Sequence, residues 1–129
     1  MTLFQDLKLL TNEAIDKNYQ AHLDYEKALL AQIALDSKNL DQIISNLYCD
    51  WTEKMRKNAS EGKEYAFFHI SRRKDYFDRV LSPAIEIVKL RLEKDGFRFT
   101  RFDKSESHTI PTGKIPKMWY VNLYADIRW

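Results

Sequence analysis

The chain contains few of the residues that interrupt regular structure: three glycines and three prolines among 129 residues, and none of either before Gly62. This scarcity argues against a loop-rich or low-complexity protein and favours long helices and strands. The single cysteine, Cys49, cannot form an internal disulfide, which is typical of a protein from a reducing compartment. We therefore expect a protein that is cytoplasmic or lies in another intracellular compartment and is not secreted.

Long apolar runs are also missing. The opening residues, MTLFQDLKLL, carry Asp6 and Lys8 within their apolar run, so they predict neither a signal peptide nor a membrane span, and we expect no membrane partner. Neither charge is in large excess, because 21 Lys and Arg oppose 19 Asp and Glu and leave a net charge of +2. A polyanionic partner would therefore require a local cluster of basic residues.

Helical periodicity dominates residues 1–58, which are rich in Leu, Ala, Gln, Lys and Glu. Thr2 and Gln5 have the spacing of a capping box, which predicts that a helix begins here. Apolar or small residues then recur every three or four positions, with interruptions at Asn18 and Gln32. They are Leu3, Leu7, Leu10, Ala14, Ala21, Tyr25, Ala28 and Leu35.

A second apolar stripe follows without interruption: Leu40, Ile43, Ile44, Leu47, Tyr48, Trp51 and Met55. Between the two stripes, the segment DSKN at 36–39 contains residues that suit the start of a new helix. We predict a helical hairpin, in which two antiparallel helices are joined by a short turn at this segment. One continuous helix is the alternative. At about fifty-five residues it would extend roughly 80 Å and would need a partner chain to cover it.

Residues 64–129 predict an α+β head. NASEGKE at 58–64 ends the helical part, and the aromatic segment 64–70 is typical of a strand. We predict a helix at 83–95, which begins with Pro83 and ends before Gly96, and strands at 97–102 and 118–129. The fold class is thus α+β, with a helical hairpin or long helix before a β-α-β-β head that contains a small antiparallel sheet. The length fits a single domain over 1–129, and the polar segment 103–117 predicts a long loop.

The final strand alternates strictly between two kinds of side chain. Its odd residues are Trp119, Val121, Leu123, Ala125, Ile127 and Trp129, and its even residues are Tyr120, Asn122, Tyr124, Asp126 and Arg128. We predict that the odd face packs on the helix at 83–95. The even face then meets the N-terminal helices, a partner or solvent.

The second helical stripe is a candidate partner interface. It holds more large apolar side chain than a first helix interrupted by Asn18 and Gln32 can cover. The interface residues would be Leu40, Ile44, Leu47, Trp51 and Met55, and large apolar side chains of this kind are typical of interface cores. The alternative is that the sheet of the head covers this stripe within the same chain.

Two groups of residues suggest a nucleic-acid contact. Arg72, Arg73 and Lys74 form the densest basic run, and Tyr120, Tyr124 and Arg128 lie on the even face of the last strand, where rings could stack on bases and cations could meet phosphates. Arg98, Thr100 and Phe102 of the neighbouring strand could join them. Such a site requires both groups on one surface. Ordinary cross-strand pairing and solvent-exposed charge are the alternatives.

No catalytic or metal-binding motif is present. The three histidines, His22, His69 and His108, and Cys49 lack the close spacing of a zinc site, and TGK at 112–114 lacks the other residues of a phosphate-binding loop. We predict no cofactor, no metal and no enzymatic activity. An enzyme of unknown class, with the loop around His108 covering a pocket, is the least favoured alternative.

The predicted ending consists of a helix that stops at Gly96, a strand, a polar loop and a strand that ends in Trp129. This layout resembles that of small accessory proteins of phages and large viruses, although it covers only the C-terminal third and assigns a role to no residue. The sequence therefore predicts a non-enzymatic protein–protein interaction or assembly protein, acting as a homo-oligomer or with a protein partner. A single-stranded nucleic-acid-binding module is the alternative.

Overall fold

The first helix begins where its capping residues predict. In the computed structural model, which describes residues 2–129, α1 spans Leu3–Lys38. The Thr2 hydroxyl accepts a hydrogen bond from the Gln5 N–H at 3.2 Å, and the Gln5 side-chain oxygen accepts one from the Thr2 N–H at 3.0 Å. Both hydrogen bonds of a capping box are therefore present.

A second helix, α2, spans Leu40–Ser60, so the chain breaks at Asn39. The break lies within the predicted segment 36–39, and the two-helix alternative is confirmed over the continuous helix. The Asn39 side chain donates to the Leu35 carbonyl at 3.0 Å and so satisfies an acceptor at the end of α1. The helices do not pack on each other along their length, because α2 lies on the sheet and its helix while α1 mainly contacts the turn at 77–81.

The remaining elements form the predicted α+β head. β1 spans Tyr65–Arg73, α3 Lys74–Tyr76, a π-helical turn Phe77–Leu81 and α4 Ser82–Lys94, before β2 at Arg98–His108 and β3 at Trp119–Arg128. The wide π turn directly precedes Pro83, whose ring would clash with the carbonyl four residues earlier in a regular α-helix.

β2 continues six residues beyond its predicted end, so the prediction of a loop over 103–117 is wrong for residues 103–108. The segment DKSESH is polar, but its backbone pairs with β3 from Asp103↔Tyr124 to His108↔Trp119. Backbone hydrogen bonds do not require apolar side chains, and an edge strand can present polar groups to water. The loop is therefore 109–118.

The sheet is antiparallel with the order β1-β3-β2, so β3 is the central strand. Its residues Val121, Leu123, Ala125 and Ile127 are buried, as the alternating pattern predicts. They pack in one core with Val88 and Leu92 of α4 and Trp51 of α2. Trp119 is an exception to the prediction, since it is 41% exposed at the start of the strand, where it contacts His108 edge-on.

A buried polar contact connects α1 to the segment after β1. Asp36 is only 9% exposed, and its carboxylate accepts hydrogen bonds from the Tyr76 hydroxyl at 2.6 Å and the Gln32 side chain at 2.8 Å. The Arg72 guanidinium lies over the Tyr76 ring at 4.0 Å. Burial, with the hydrogen bond to Asp36 as the next cause, raises the pKa of Tyr76 to about 12. The end of α1 is therefore held by a charge-assisted hydrogen bond inside the protein.

We expect Tyr76→Phe to lower the free energy of unfolding at pH 7 by about 1.5–3 kcal/mol, because the buried Asp36 carboxylate loses its hydroxyl donor. Urea denaturation measures this change. Tyr65→Phe is the matched control, since Tyr65 is 43% exposed, and it should change stability by less than about 0.5 kcal/mol.

The same pair predicts a dependence on pH. The pKa of Tyr76 is raised in the folded state, so its contribution to stability is complete below the unfolded-state pKa of about 10 and declines as the pH rises towards 12. The stability difference between the wild type and the Tyr76→Phe variant should narrow over that range. A difference that stays constant from pH 9 to 12 would contradict the assignment.

Candidate functional site

The stripe predicted as a partner interface lies inside the protein. Ile44, Trp51 and Met55 are each 4% exposed or less, and Leu40 and Leu47 are half-buried against the same core. The Trp51 ring stacks on Phe68 of β1 with centroids 4.8 Å apart. These five residues are therefore corrected from a partner interface to intramolecular core, because the sheet and α4 of the same chain cover them.

An uncovered apolar surface lies on α1 instead. We call it the α1 stripe and define it by Leu3, Leu7, Leu10, Ala14, Ala21, Tyr25, Ala28 and Leu35, the residues whose spacing predicted an amphipathic helix. All eight are exposed, from 52% at Tyr25 to 74% at Leu3 among the large side chains. Exposed apolar patches on soluble proteins often mark interaction sites, and this row runs along most of α1 with polar interruptions.

A different face of α1 contacts the rest of the protein. Its residues are Ile15, Tyr19, His22, Glu26, Leu29, Ile33 and Asp36, all half-buried or buried. With a rotation of about 100° per residue, the centres of the two faces are separated by roughly 110° around the helix. The contacts that hold α1 in place therefore leave the α1 stripe free.

The loop 109–118 supports α1 from a side that also avoids the stripe. The Lys114 ammonium bonds to the Asp16 carboxylate at 2.6 Å, and this ion pair raises the pKa of Lys114. Gly113 has a φ of +57°, and a Cβ atom there would lie 3.3 Å from Ile15 Cγ2. Glycine thus allows both the turn and the close approach to α1.

The basic run at 72–74 does not form a patch, because its three side chains point to different partners. Arg72 lies over Tyr76 on the core side of β1. Arg73 is 9% exposed and forms an ion pair with Glu26 of α1, and this hydrogen bond raises the pKa of Arg73. Lys74 pairs with Glu106 and with Asp78. The condition for the predicted nucleic-acid site, both groups on one surface, is not met.

The even face of β3 is the open face of the sheet. Tyr120, Asn122, Tyr124 and Asp126 are half-buried and Arg128 is exposed, with Tyr65, Phe67 and His69 beside them on β1. A β-bulge at Thr100 shifts the register of β2 between Phe99 and Arg101. The predicted neighbour Phe102 therefore packs on the core side, where it contacts Phe99, and Arg101 takes its place on the open face.

The Tyr124 ring is enclosed by its neighbours on this face. The His69 ring stacks on it from β1 with centroids 4.6 Å apart and an angle of 1° between the planes. The Arg101 guanidinium lies 4.6 Å from its centroid on the β2 side. A base could stack on Tyr124 only after one of these neighbours moved, whereas the outer rings Tyr65 and Phe67 are 43% and 41% exposed.

No three His, Cys, Asp or Glu side chains converge as metal ligands within residues 2–129. A shallow apolar cleft of about 240 Å³ lies between α2 and the end of the sheet, lined by Tyr48, Met55, Phe97 and Trp129 among others, with Arg56 as its charged group. Cys49 is exposed on α2. None of the helices in residues 2–129 combines the length and apolarity needed to cross a bilayer.

Comparison of this chain with models of protein families, with curated proteins and with solved structures finds no match. Function is therefore inferred from the two uncovered surfaces, the α1 stripe and the open face of the sheet.

We expect Glu26→Gln to lower the free energy of unfolding by about 1.5–3 kcal/mol, because it leaves the shielded Arg73 guanidinium without its carboxylate. Chemical denaturation measures the loss. Glu61→Gln is a matched control, since Glu61 pairs with Lys63 where both side chains are 45% exposed. The control should be nearly neutral, and equal losses in the two variants would show that Glu26–Arg73 is not a buried anchor.

Proposed function

We propose that the protein is a non-enzymatic protein–protein interaction or assembly protein that binds its partner through the α1 stripe. The observation that supports this most strongly is the exposure of Leu3, Leu7 and Leu10, at 74%, 54% and 61%, in a row along a helix that is anchored to the rest of the protein from Ile15 onward. Burial of a leucine side chain stabilises a complex by about 1.5–3 kcal/mol before ordering costs, so these three residues could supply much of a binding free energy.

The first part of α1 also lacks support within the chain. Residues 3–14 are all exposed, and contacts with the rest of the protein begin at Ile15. This part continues a helix that is already formed, so it needs no new nucleation, but without packed side chains its end is free to fray. A partner that covers the α1 stripe would stabilise this part of the helix. A role as an accessory or structural component of a phage or large virus is compatible with such a surface and stays a prediction.

To test the proposed function, a photoreactive phenylalanine analogue is placed at Leu10, within the α1 stripe, in the cells that make the protein. We expect irradiation to produce a covalent adduct with a protein, either another copy of this chain or a different one, because the stripe is covered in the assembled state. Leu9 is the matched control, since it is 50% exposed on the same turn but lies outside the stripe.

Adducts at Leu10 but not at Leu9, identified by mass spectrometry, would support an interaction through the stripe. An absence of protein adducts at Leu10, or equal yields at both positions, would contradict the proposed function. Circular dichroism of each variant verifies that the helix is retained.

Single-stranded nucleic-acid binding is a second candidate, supported by the open face of the sheet. The rings Tyr65 and Phe67 are exposed on this face and lie beside the arginines Arg101 and Arg128. The stacking of His69 and Arg101 on Tyr124 and the presence of Asp126 limit this function. It therefore ranks behind the interaction through α1.

This second function predicts that a fluorescently labelled single-stranded oligonucleotide binds at low salt and that its affinity falls as salt rises. Arg101→Gln should weaken binding and reduce the salt slope by about 0.7 for a lost phosphate contact, whereas Arg72→Gln, on the core side of β1, should change neither. Fluorescence anisotropy measures both quantities. If the oligonucleotide does not bind at low salt, or if the two variants behave alike, the open face is not a nucleic-acid site.

A further inference from the structure

Seven of the eight residues of the α1 stripe, all except Tyr25, fall in two columns with a seven-residue period. One column consists of Leu7, Ala14, Ala21, Ala28 and Leu35, and the second of Leu3, Leu10, Lys17, Asp24 and Ala31. All ten residues are exposed. Two columns that alternate at spacings of three and four residues correspond to the a and d positions of a coiled coil. A second helix can cover both columns along their length when the two helices supercoil around each other.

We infer that the occupant of the α1 stripe is α1 of a second copy of this chain, and that the two helices run antiparallel. This inference rests on the proposed function and adds the identity and direction of the partner. Its basis is the pair of charges in the second column. Lys17 and Asp24 are the only charged residues in the two columns between residues 3 and 35, and they have opposite signs.

The direction follows from where these charges meet. In a parallel pair, equivalent positions face each other, so Lys17 would meet Lys17 of the second copy and Asp24 would meet Asp24. In an antiparallel pair whose twofold axis lies between Gln20 and Ala21, Lys17 of each copy reaches Asp24 of the other. The antiparallel arrangement thus forms two symmetric attractive contacts, and the parallel one forms two repulsive contacts.

The side chains around the same axis fit this arrangement. Ala14, Ala21 and Ala28 are small, so they allow the two helix axes to approach at the short end of the usual 8–10 Å range. Towards the ends, Leu7 of one copy comes within one residue of the level of Leu35 of the other. Large apolar side chains at both ends and small ones in the centre then form one continuous contact about 50 Å long.

A lipid surface is a poorer occupant. Interfacial helices are rich in Lys and Arg on the face that meets lipid head groups. In contrast, α1 carries four lysines and six Asp and Glu residues over Leu3–Lys38, a net charge of −2. The Asp24 carboxylate would also be placed against the apolar region with only the neutral Gln20 side chain as its hydrogen-bond donor.

The test measures the mass of the purified full-length protein by analytical ultracentrifugation over about a hundredfold range of concentration. We expect the wild type to approach twice its 15.4 kDa chain mass. Lys17→Glu and Asp24→Lys should each weaken dimerisation at least tenfold, because each creates two like-charge contacts. The double variant Lys17→Glu/Asp24→Lys should regain affinity near that of the wild type, and a mixture of the two single variants should form a heterodimer.

Lys8→Glu is the matched control, because it makes the same change of charge at an exposed position of α1 that lies outside both columns and does not flank the seam between them. It should dimerise like the wild type. Single variants that dimerise like the wild type, or a double variant that stays as weak as the single ones, would overturn the antiparallel pair.

A wild-type protein that stays monomeric would overturn the second copy as occupant. If photo-crosslinking at Leu10 then yields an adduct with a different protein, the proposed function stands and only the identity of the partner is wrong. If crosslinking yields no adduct, both fail.

Discussion

The structure depends on the buried face of β3, the central strand. Val121, Leu123, Ala125 and Ile127 on this face are each no more than 3% exposed, and both α2 and α4 pack on it. The sheet has two faces, and α2 and α4 both pack on the same face. Burying one face well stabilises a small domain, but it leaves the opposite face without a helix.

The same constraint determines how α1 is attached. Because α2 and α4 occupy the core face, α1 reaches the core only with Leu29 and Ile33 near its end. Much of its remaining attachment is polar: Asp36 to Tyr76, Glu26 to Arg73 and Lys114 to Asp16. Polar contacts fix the position and orientation of a helix while burying little apolar surface. For this reason α1 can be held in a defined place and still present an apolar stripe to another molecule.

Local signals predicted much of the fold. The Thr2–Gln5 capping box, the break at 36–39 and the alternation of β3 depend on neighbouring residues, so the sequence shows them directly. The exchange of Phe102 for Arg101 on the open face depends on one bulge residue, Thr100, which no local pattern marks. Periodicity also shows that an apolar helical face must be covered, but it does not show whether another part of the chain or a partner covers it. Periodicity therefore favours a partner for the stripe of Trp51 and Met55, which the sheet covers, and it gives no sign that the weaker stripe of α1 is the uncovered one.

Lys17 and Asp24 interrupt the second apolar column of α1, and these two charges affect which partner the helix accepts. A continuous row of leucines would bind many apolar surfaces, and it would promote aggregation. With Lys17 and Asp24 in the seam, a wholly apolar partner helix would leave both charges desolvated and unpaired, a cost that can exceed the gain from the neighbouring leucines. A partner helix that places an acidic residue opposite Lys17 and a basic residue opposite Asp24 avoids this desolvation cost. Defects in apolar periodicity on an exposed helix can thus encode which partner is accepted, whereas its leucines mainly set how tightly that partner is held.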